Sequence, residues 1–209
     1  MTGRELLGAL NEGHRIYGTL IISTAPLWPA AVKKSGIDFV FLDTEHIPLG
    51  RETLSWMCQV YKANGLPAIV RIPSPDPYQA CMALDGGAVG ILAPYVETVE
   101  QVKALVGATK LRPLKGEKLD SALEQPAELN EVLSNYLENR NADNLLFINV
   151  ESMHAVNKLD DLLAVPGLDG VIIGPHDLSC SIDKPEVYSS PEFKKVVVAI
   201  INKARKADI

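Results

Sequence analysis

Residues 39–46 read Phe-Val-Phe-Leu-Asp-Thr-Glu-His, an apolar run that ends abruptly in polar residues. Continuous apolarity of this kind is typical of a parallel strand that is buried on both faces. The same arrangement returns in Ala68–Val70 before Arg71, and in Leu145–Val150 before Glu151. Helix-like segments separate these runs, and strands that alternate with helices predict an α/β fold with a parallel sheet.

The whole chain follows this alternation and predicts six strands. The predicted strands are Ile16–Ser23, Asp38–Asp43, Ala68–Ile72, Val89–Ala93, Leu145–Val150 and Gly170–Ile173. The predicted helices are residues 28–35, 51–64, 76–85, 98–108, 152–164 and 191–207. In residues 51–64, for example, the apolar side chains Leu54, Met57, Cys58 and Tyr61 recur at the spacing of one buried helix face. We therefore expect a (β/α)8 barrel, of which about six βα units are present.

One segment departs from the rhythm, because Lys110–Asn144 is long and polar, with a probable helix over Ala127–Glu138. Insertions of this length in a compact domain are often lids or mobile loops. We find no linker, so we predict a single domain over residues 1–209 with an inserted loop and helix at 110–144. A closed barrel needs about eight strands, so the last two βα units are expected to be missing after residue 207.

The composition of the chain indicates which kinds of partner and which cellular compartment to expect. The chain has 26 acidic and 20 basic residues, a net charge of −6, so the basic surface typical of nucleic-acid binding is not expected. The three cysteines, Cys58, Cys81 and Cys180, have no metal-finger spacing and fit a reducing, cytoplasmic compartment. The longest apolar region, Ile16–Val32, is interrupted by prolines and is too short for a membrane span. We expect a cytoplasmic protein with a small-molecule substrate.

Charged residues follow four of the predicted strands at their carboxyl ends: Asp43 and His46, Arg71, Glu151 and Asp177. In parallel α/β barrels this end carries the active site, because the βα loops converge there. Charged groups from four strands are expected at one rim. This indicates a functional site rather than charged residues scattered over the surface.

Glu151 and Asp177 are separated by about one βα unit, so their strands are expected to be neighbours. Two carboxylates at matching height can bind one hard divalent cation such as Mg²⁺ or Mn²⁺, with substrate oxygens and water in the remaining positions. The alternative for each residue is that it stabilises the start of the following helix. The rest of the constellation favours the metal site.

Asp43 and His46 are spaced so that the carboxylate could bond one imidazole nitrogen and leave the other free for proton transfer. The alternative is a histidine at a loop surface, which is also the reading preferred for His176, although that residue adjoins the predicted site. Arg71 could bind a carboxylate through two hydrogen bonds and stabilise enolate charge. Its alternative is an ion pair with a neighbouring loop.

Five motifs taken together resemble the class II pyruvate aldolases, typified by 4-hydroxy-2-oxoheptanedioate aldolase and 2-keto-3-deoxy sugar-acid aldolases. They are Phe-Leu-Asp-Thr-Glu-His-Ile-Pro at 41–48, Val-Arg-Ile-Pro at 70–73, Leu-Asp-Gly-Gly-Ala at 84–88, Asn-Val-Glu-Ser at 149–152 and Gly-Pro-His-Asp-Leu-Ser at 174–179. They occur in the family's order and with appropriate spacing. One departure is Pro113-Leu114-Lys115-Gly116-Glu117-Lys118, where relatives usually read Pro-Pro-x-Gly-x-Arg.

This resemblance implies a barrel of the pyruvate/phosphoenolpyruvate type and a lyase that cleaves a 4-hydroxy-2-oxo acid into pyruvate and an aldehyde. The implied metal ligands are Glu151 and Asp177, holding Mg²⁺, Mn²⁺ or a similar ion such as Co²⁺. Arg71 would contact the pyruvate oxygens, and His46, oriented by Asp43, would move protons.

The resemblance also implies two further sets of contacts. Backbone amides around Gly174, Pro175 and His176 would seat the substrate carboxylate. Members of the family assemble as trimers or hexamers, and the turn at Asp85 could reach a neighbouring subunit's site.

Two other functions remain open at this point. One is an enzyme similar to citryl- or malyl-CoA lyases, whose members tend to have an acidic residue where His46 stands. The other is a non-catalytic fragment or assembly subunit that keeps the motifs without the activity.

Overall fold

The computed structural model describes residues 1–125, 127 and 129–209. In this part of the chain six parallel strands form one sheet in the order β1 to β6, so each strand pairs with the next one along the sequence. The strands are β1 (Gly18–Leu20), β2 (Phe39–Asp43), β3 (Ala68–Arg71), β4 (Gly90–Ala93), β5 (Leu145–Val150) and β6 (Gly170–Ile173). All six predicted strands are confirmed.

The helices are α1 (Gly3–Asn11), α2 (Trp28–Lys33), α3 (Arg51–Ala63), α4 (Pro77–Asp85), α5 (Val99–Lys110), α6 (Gly116–Glu124), α7 (Glu131–Asn141), α8 (Met153–Asn157), α9 (Leu159–Leu163), α10 (Pro175–Ser181) and α11 (Pro191–Lys206). Helix α1 precedes the first strand and packs against the inner face of the sheet through Leu6, and the other helices follow the strands. The predicted helix at 152–164 is divided into α8 and α9. Among the described residues, none of these helices has the length and apolarity needed to cross a bilayer.

The inner and outer faces of the sheet bury two different apolar clusters. On the outer face, side chains such as Val40, Val70 and Ile91 pack against the helices. The inner cluster contains Ile69, Leu92, Leu145 and Phe147, and Leu6 from α1 completes it with no exposed surface. This alternation between faces follows from the two-residue period of a strand, and it fixes which side chains point inward.

The described part of the insertion, which was predicted as a lid or mobile loop, contains the helices α6 and α7. Leu119 and Leu123 of α6 lie against the backbone of α5 at Gly107, where a Cβ would meet their side chains at 3.1 and 3.4 Å. The Asn141 amide at the end of α7 donates to Arg112 O at 2.8 Å. The predicted helix over Ala127–Glu138 corresponds to α7 at Glu131–Asn141, and Glu128 in that range lies outside the described residues. The insertion is therefore anchored on α5.

Candidate active site

The carboxyl ends of β2 and β3 bring Asp43 and Arg71 together, because these two residues are partners in the strand register. Arg71 Nε donates to Asp43 Oδ1 at 2.9 Å, and Arg71 Nη2 donates to Asp43 Oδ2 at 2.6 Å. This two-point geometry is the strongest arrangement available to an arginine and a carboxylate. Asp43 is only 3% exposed, so the pair is shielded from solvent.

The pairing shifts the titration of both groups. Burial alone would raise the pKa of Asp43, but the hydrogen bond from Arg71 and the N–H groups of Glu45 and His46 together hold that pKa below its ordinary value. The hydrogen bond to Asp43 raises the pKa of Arg71, and the nearby Glu45 and Glu151 carboxylates add to that rise. Both groups are therefore charged throughout the neutral range.

The expected contact between Asp43 and the imidazole of His46 is not the arrangement in the structure. Asp43 instead accepts a weak hydrogen bond from the main-chain N–H of His46, at 3.5 Å. The His46 ring is 64% exposed, and its Nε2 lies 3.7 Å from Glu45 Oε2. The physical reason is that the guanidinium of Arg71, on the adjacent strand, occupies the side-chain face of Asp43. Glu45 is thus the carboxylate closest to the imidazole.

Glu45 also belongs to the Arg71 environment. Its Oε2 atom lies 3.2 Å from Arg71 Nε and is buried without a hydrogen-bond partner of its own among the described residues. The Arg71 guanidinium carbon lies 5.7 Å from the centre of the Phe41 ring, which supports the group from below. Arg71 is therefore fixed by Asp43, Glu45 and Phe41.

Glu151 follows β5 and is 4% exposed, with a hydrogen bond on each carboxylate oxygen. Tyr95 N–H donates to Oε2 at 2.9 Å, and Asn149 Nδ2 donates to Oε1 at 2.6 Å. Burial raises the pKa of Glu151; those two hydrogen bonds oppose the rise, and the negative charges of Asp177 and Glu45 add to it. The effect of Asp177 shows that the two predicted metal ligands lie within electrostatic reach of each other.

The loop after β6 is shaped around the Glu151 carboxylate. A Cβ at Gly174 would lie 2.2 Å from Glu151 Oε1, so any larger residue would displace that carboxylate. Asp177 lies in the first turn of α10 and is exposed. Glu151 and Asp177 thus offer oxygen ligands, although among the described residues no group of three or more His, Cys, Asp or Glu side chains could hold a metal ion.

The structure alters the role expected for Gly174. Its N–H donates to Val150 O at 3.3 Å, so this amide continues the strand pairing. Pro175 has no N–H. Of the three residues, His176 is therefore the first whose N–H faces outward at the start of α10, where the helix itself supplies no acceptor for it. The His176 ring is 63% exposed and lies 3.7 Å from Glu186 Oε1.

Asp85 is separated from these residues within the chain. It ends α4 and pairs with Arg112, which follows α5. A cleft of about 580 Å³ between α3 and α4 is lined both by Thr44 and Pro73, next to the site, and by Asp85. The Asp85 side chain is 69% exposed, so it remains accessible from outside the chain.

Two residues in this site were missed by the sequence reasoning. Tyr95 follows β4 at the same rim, and this position could have been read from the sequence. Its contact with Glu151 is made by the main-chain N–H, which no residue pattern reveals. Asn149 lies two positions before Glu151, and a polar residue on the inward face of an apolar strand was the usable signal.

A family model for HpcH/HpaI aldolase/citrate lyase matches residues 20–209. The chain belongs to this family. Over 198 residues it is 31% identical to a 2-keto-3-deoxy-L-rhamnonate aldolase of Salmonella gallinarum, a match that covers 95% of this chain and 74% of the relative. The resemblance inferred from the five motifs is therefore confirmed, and family membership makes the chain an aldolase-type lyase that depends on a divalent metal.

Solved structures in the family have the same fold. An HpcH/HpaI aldolase from Desulfitobacterium hafniense superposes with a TM-score of 0.82 at 25% identity, covering 98% of this chain and 79% of that one. The citrate synthase SbnG superposes with a TM-score of 0.82 at 29% identity, covering 97% of this chain and 78% of that one.

Proposed function

We propose that the chain is a metal-dependent aldolase that cleaves a 4-hydroxy-2-oxo acid into pyruvate and an aldehyde. The observation that carries the proposal is the placement of the Arg71 guanidinium, held by Asp43, and of two carboxylates, Glu151 and Asp177, at the carboxyl ends of β3, β5 and β6 in one parallel sheet. A cationic hydrogen-bond donor beside a cation-binding pair suits a reaction in which enolate charge develops.

The residues present fit a divalent cation. Glu151 and Asp177 are oxygen ligands, and the unfavourable burial of one charge beside another is what a bound cation would relieve. We propose Mg²⁺ or Mn²⁺, with Co²⁺ as a third candidate, held by Glu151 and Asp177. When bound, such an ion supplies Lewis-acid polarisation of the substrate's keto group.

Arg71 would bind and orient the 2-oxo acid. Its Nε and Nη2 atoms are engaged by Asp43 and Glu45, and among the described residues none accepts a hydrogen bond from Nη1. We propose that Nη1 donates to a pyruvate oxygen and stabilises the enolate. Because Asp43 fixes the guanidinium, this donor is already oriented before the substrate binds.

His46 would move the proton of the aldol hydroxyl. Its exposed ring lies beside Glu45, whereas Asp43 reaches only the His46 main chain. We propose His46 as the acid and base, directly or through water, with Asp43 acting through Arg71 and through the loop backbone. The His176 N–H would contribute to seating the substrate carboxylate, with Gly174 and Pro175 shaping that end of the site.

The parallel order of the strands also supports a more specific architecture. We propose that β1–β6 correspond to six consecutive units of a (β/α)8 barrel of the pyruvate/phosphoenolpyruvate type, in a single domain over 1–209 with 110–144 as an insertion. We further propose a cytoplasmic enzyme without nucleic-acid or membrane partners.

The experiment that tests the activity is pyruvate release from 4-hydroxy-2-oxo acids, coupled to lactate dehydrogenase and NADH oxidation. We expect turnover to be lost in EDTA and restored by Mg²⁺, Mn²⁺ or Co²⁺. Glu151→Ala and Asp177→Ala should remove it while circular dichroism stays unchanged. Asp161→Ala removes an exposed carboxylate on α9 and serves as the matched control. Activity that survives complete metal removal, or normal turnover in both site variants, contradicts the proposal.

A separate assay for acetyl-CoA distinguishes the nearest alternative, a citryl- or malyl-CoA lyase type of activity, because that cleavage releases acetyl-CoA and not pyruvate. Acyl-CoA substrates should give no metal-dependent cleavage here. Cleavage of an acyl-CoA with none of a 4-hydroxy-2-oxo acid would replace the aldolase with that alternative.

We also propose a homo-oligomer, a trimer or a hexamer, in which Asp85 reaches a neighbouring subunit's site. The exposed side chain of Asp85 supports this arrangement. Mixing inactive Arg71→Ala with inactive Asp85→Ala, after reversible dissociation, should restore part of the activity in hybrid sites. Additive activities in the mixture would contradict a shared site.

A further inference from the structure

Asn149 is a buried polar residue inside the sheet that the proposed mechanism does not use. It lies on β5, and the two-residue period of a strand places it on the same inward face as Leu145, Phe147 and Glu151. Only 2% of it is exposed. An amide among apolar side chains costs free energy unless its polar atoms find partners, so its position calls for a physical reason.

The partner of Asn149 is Glu151. The Nδ2 atom donates to Glu151 Oε1 at 2.6 Å, whereas Oδ1 is buried and has no hydrogen-bond partner among the described residues. A carboxylate oxygen can only accept, so the amide must turn its nitrogen toward Glu151 and leave its oxygen without a donor. An unsatisfied buried acceptor costs about 1–3 kcal/mol, and the bond to Glu151 is kept despite that cost.

The main-chain N–H of Tyr95 is a second donor and fixes the other oxygen of Glu151. The backbone at Tyr95 is strained. Tyr95 donates its N–H to Oε2 at 2.9 Å from a left-handed conformation, with φ of 50°. Residues other than glycine adopt this conformation rarely and at a cost of about 1–3 kcal/mol. With one donor on each oxygen, and with the space that Gly174 leaves beside Oε1, the carboxylate is restricted to one orientation.

We propose that Asn149 is a positioning residue that, together with the main-chain N–H of Tyr95, holds the Glu151 carboxylate in the orientation in which it binds the divalent cation. This inference rests on the proposed metal site. Each donor uses one lone pair of one oxygen, so each oxygen keeps another lone pair for the cation. Asn149 acts from the second layer of the site and does not touch the cation itself.

Mn²⁺ affinity at fixed pH tests the proposal without any turnover, measured from the electron paramagnetic resonance signal of the free ion. Asn149→Leu keeps the branched shape of the side chain and removes the donor. We expect the dissociation constant for Mn²⁺ to rise about 10–100-fold, the range found when a residue that supports a metal ligand is mutated. Asn149→Ala, which cannot overpack the interior, should show the same weakening if the leucine variant does not fold.

The matched control is Asn141→Leu. Asn141 is 4% exposed and its amide donates to Arg112 O and Leu137 O, so its loss should lower the melting temperature without reaching Glu151. We expect the dissociation constant of Asn141→Leu for Mn²⁺ to stay within about twofold of the wild-type value. A change of that size is smaller than the smallest effect, about tenfold, expected for Asn149→Leu.

Glu151→Gln distinguishes failure of this inference from failure of the proposed function. Binding that is abolished in Glu151→Gln but unchanged in Asn149→Leu and Asn149→Ala overturns the role of Asn149 and leaves the metal site standing. Binding that is unchanged in Glu151→Gln removes the metal site and this inference with it. An equal loss of affinity in Asn141→Leu and Asn149→Leu would show a general structural effect and would also overturn the proposal.

Discussion

Asp43 accepts hydrogen bonds from the Arg71 side chain and from the N–H groups of Glu45 and His46, so its charge stabilises both a neighbour and its own loop. We expect Asp43→Asn to lower the free energy of unfolding at neutral pH by about 1–3 kcal/mol, because Arg71 loses a charged partner. Urea denaturation measures the loss. Asp160→Asn, whose partner Lys203 lies at the surface, is the control and should change stability little.

The same residue predicts a dependence on pH. The folded-state pKa of Asp43 is lowered, so its contribution to stability is present above the unfolded-state value of about 3.9 and is lost as pH falls through the folded-state value. The stability difference between wild type and Asp43→Asn should therefore be constant near pH 7 and shrink below about pH 4. A difference that grows on acidification would contradict this assignment.

Gly174 gives a prediction about space rather than charge. A methyl group there would overlap the Glu151 carboxylate, although the φ of −85° is ordinary for any residue. We expect Gly174→Ala to fold and to lose at least about tenfold in kcat/KM for pyruvate release, the scale on which misplaced site groups affect turnover. Gly8→Ala, a helical glycine with nothing within 4 Å of the added methyl, should keep full activity.

Residue patterns predicted which positions lie at the same end of the sheet better than they predicted the hydrogen-bond partner of each side chain. Charged residues at strand ends identified Asp43, Arg71 and Glu151 as one site, because topology alone brings those ends together. The preference of Asp43 for Arg71 over His46 depends on the strand register and on side-chain rotamers, which the local spacing does not encode. The hydrogen bonds of Asn149 and Tyr95 to Glu151 also depend on strand register and side-chain rotamers, so the local spacing does not encode them either.

At the scale of elements, the first helix was missed although its signal is present. Thr2 and Glu5 form a capping box at the start of α1, with both reciprocal hydrogen bonds made. A helix of only 9 residues is too short to be predicted securely from periodicity alone. Its long-range contact with the inner face of the sheet, through Leu6, is invisible to local patterns.

This contact makes α1 important for stability. Leu6 has no exposed surface and packs with Ile69, Leu92, Leu145 and Phe147. We expect Leu6→Ala to lower the free energy of unfolding by about 2–5 kcal/mol, from lost burial and the cavity left behind.

Chemical denaturation tests the Leu6 prediction, with Leu27→Ala as its control. Leu27 is 83% exposed, and its truncation should cost less than about 0.5 kcal/mol. Equal effects of the two variants would show that α1 does not complete the inner cluster.

At the scale of the whole molecule, the site should couple cation binding to global stability. A cation that binds the folded state alone stabilises it by mass action, by about 2.7 kcal/mol at a hundredfold excess over its dissociation constant. We expect Mg²⁺ or Mn²⁺ to raise the melting temperature of the wild type and of Asp161→Ala, but not of Glu151→Gln. An identical rise in Glu151→Gln would mean that the ions bind elsewhere.

The clustering of carboxylates around Arg71 has a consequence for the sequence of kinetic events. Asp43, Glu45, Glu151 and Asp177 outnumber the one guanidinium in their electrostatic environment, and a 2-oxo acid is itself an anion. The unliganded rim therefore repels its own substrate, and Coulomb repulsion is strong where water is excluded. We expect compulsory ordered addition, the cation before the organic acid. Initial-rate patterns should then show the apparent KM of the acid falling as the cation saturates, while pyruvate leaves before the cation does.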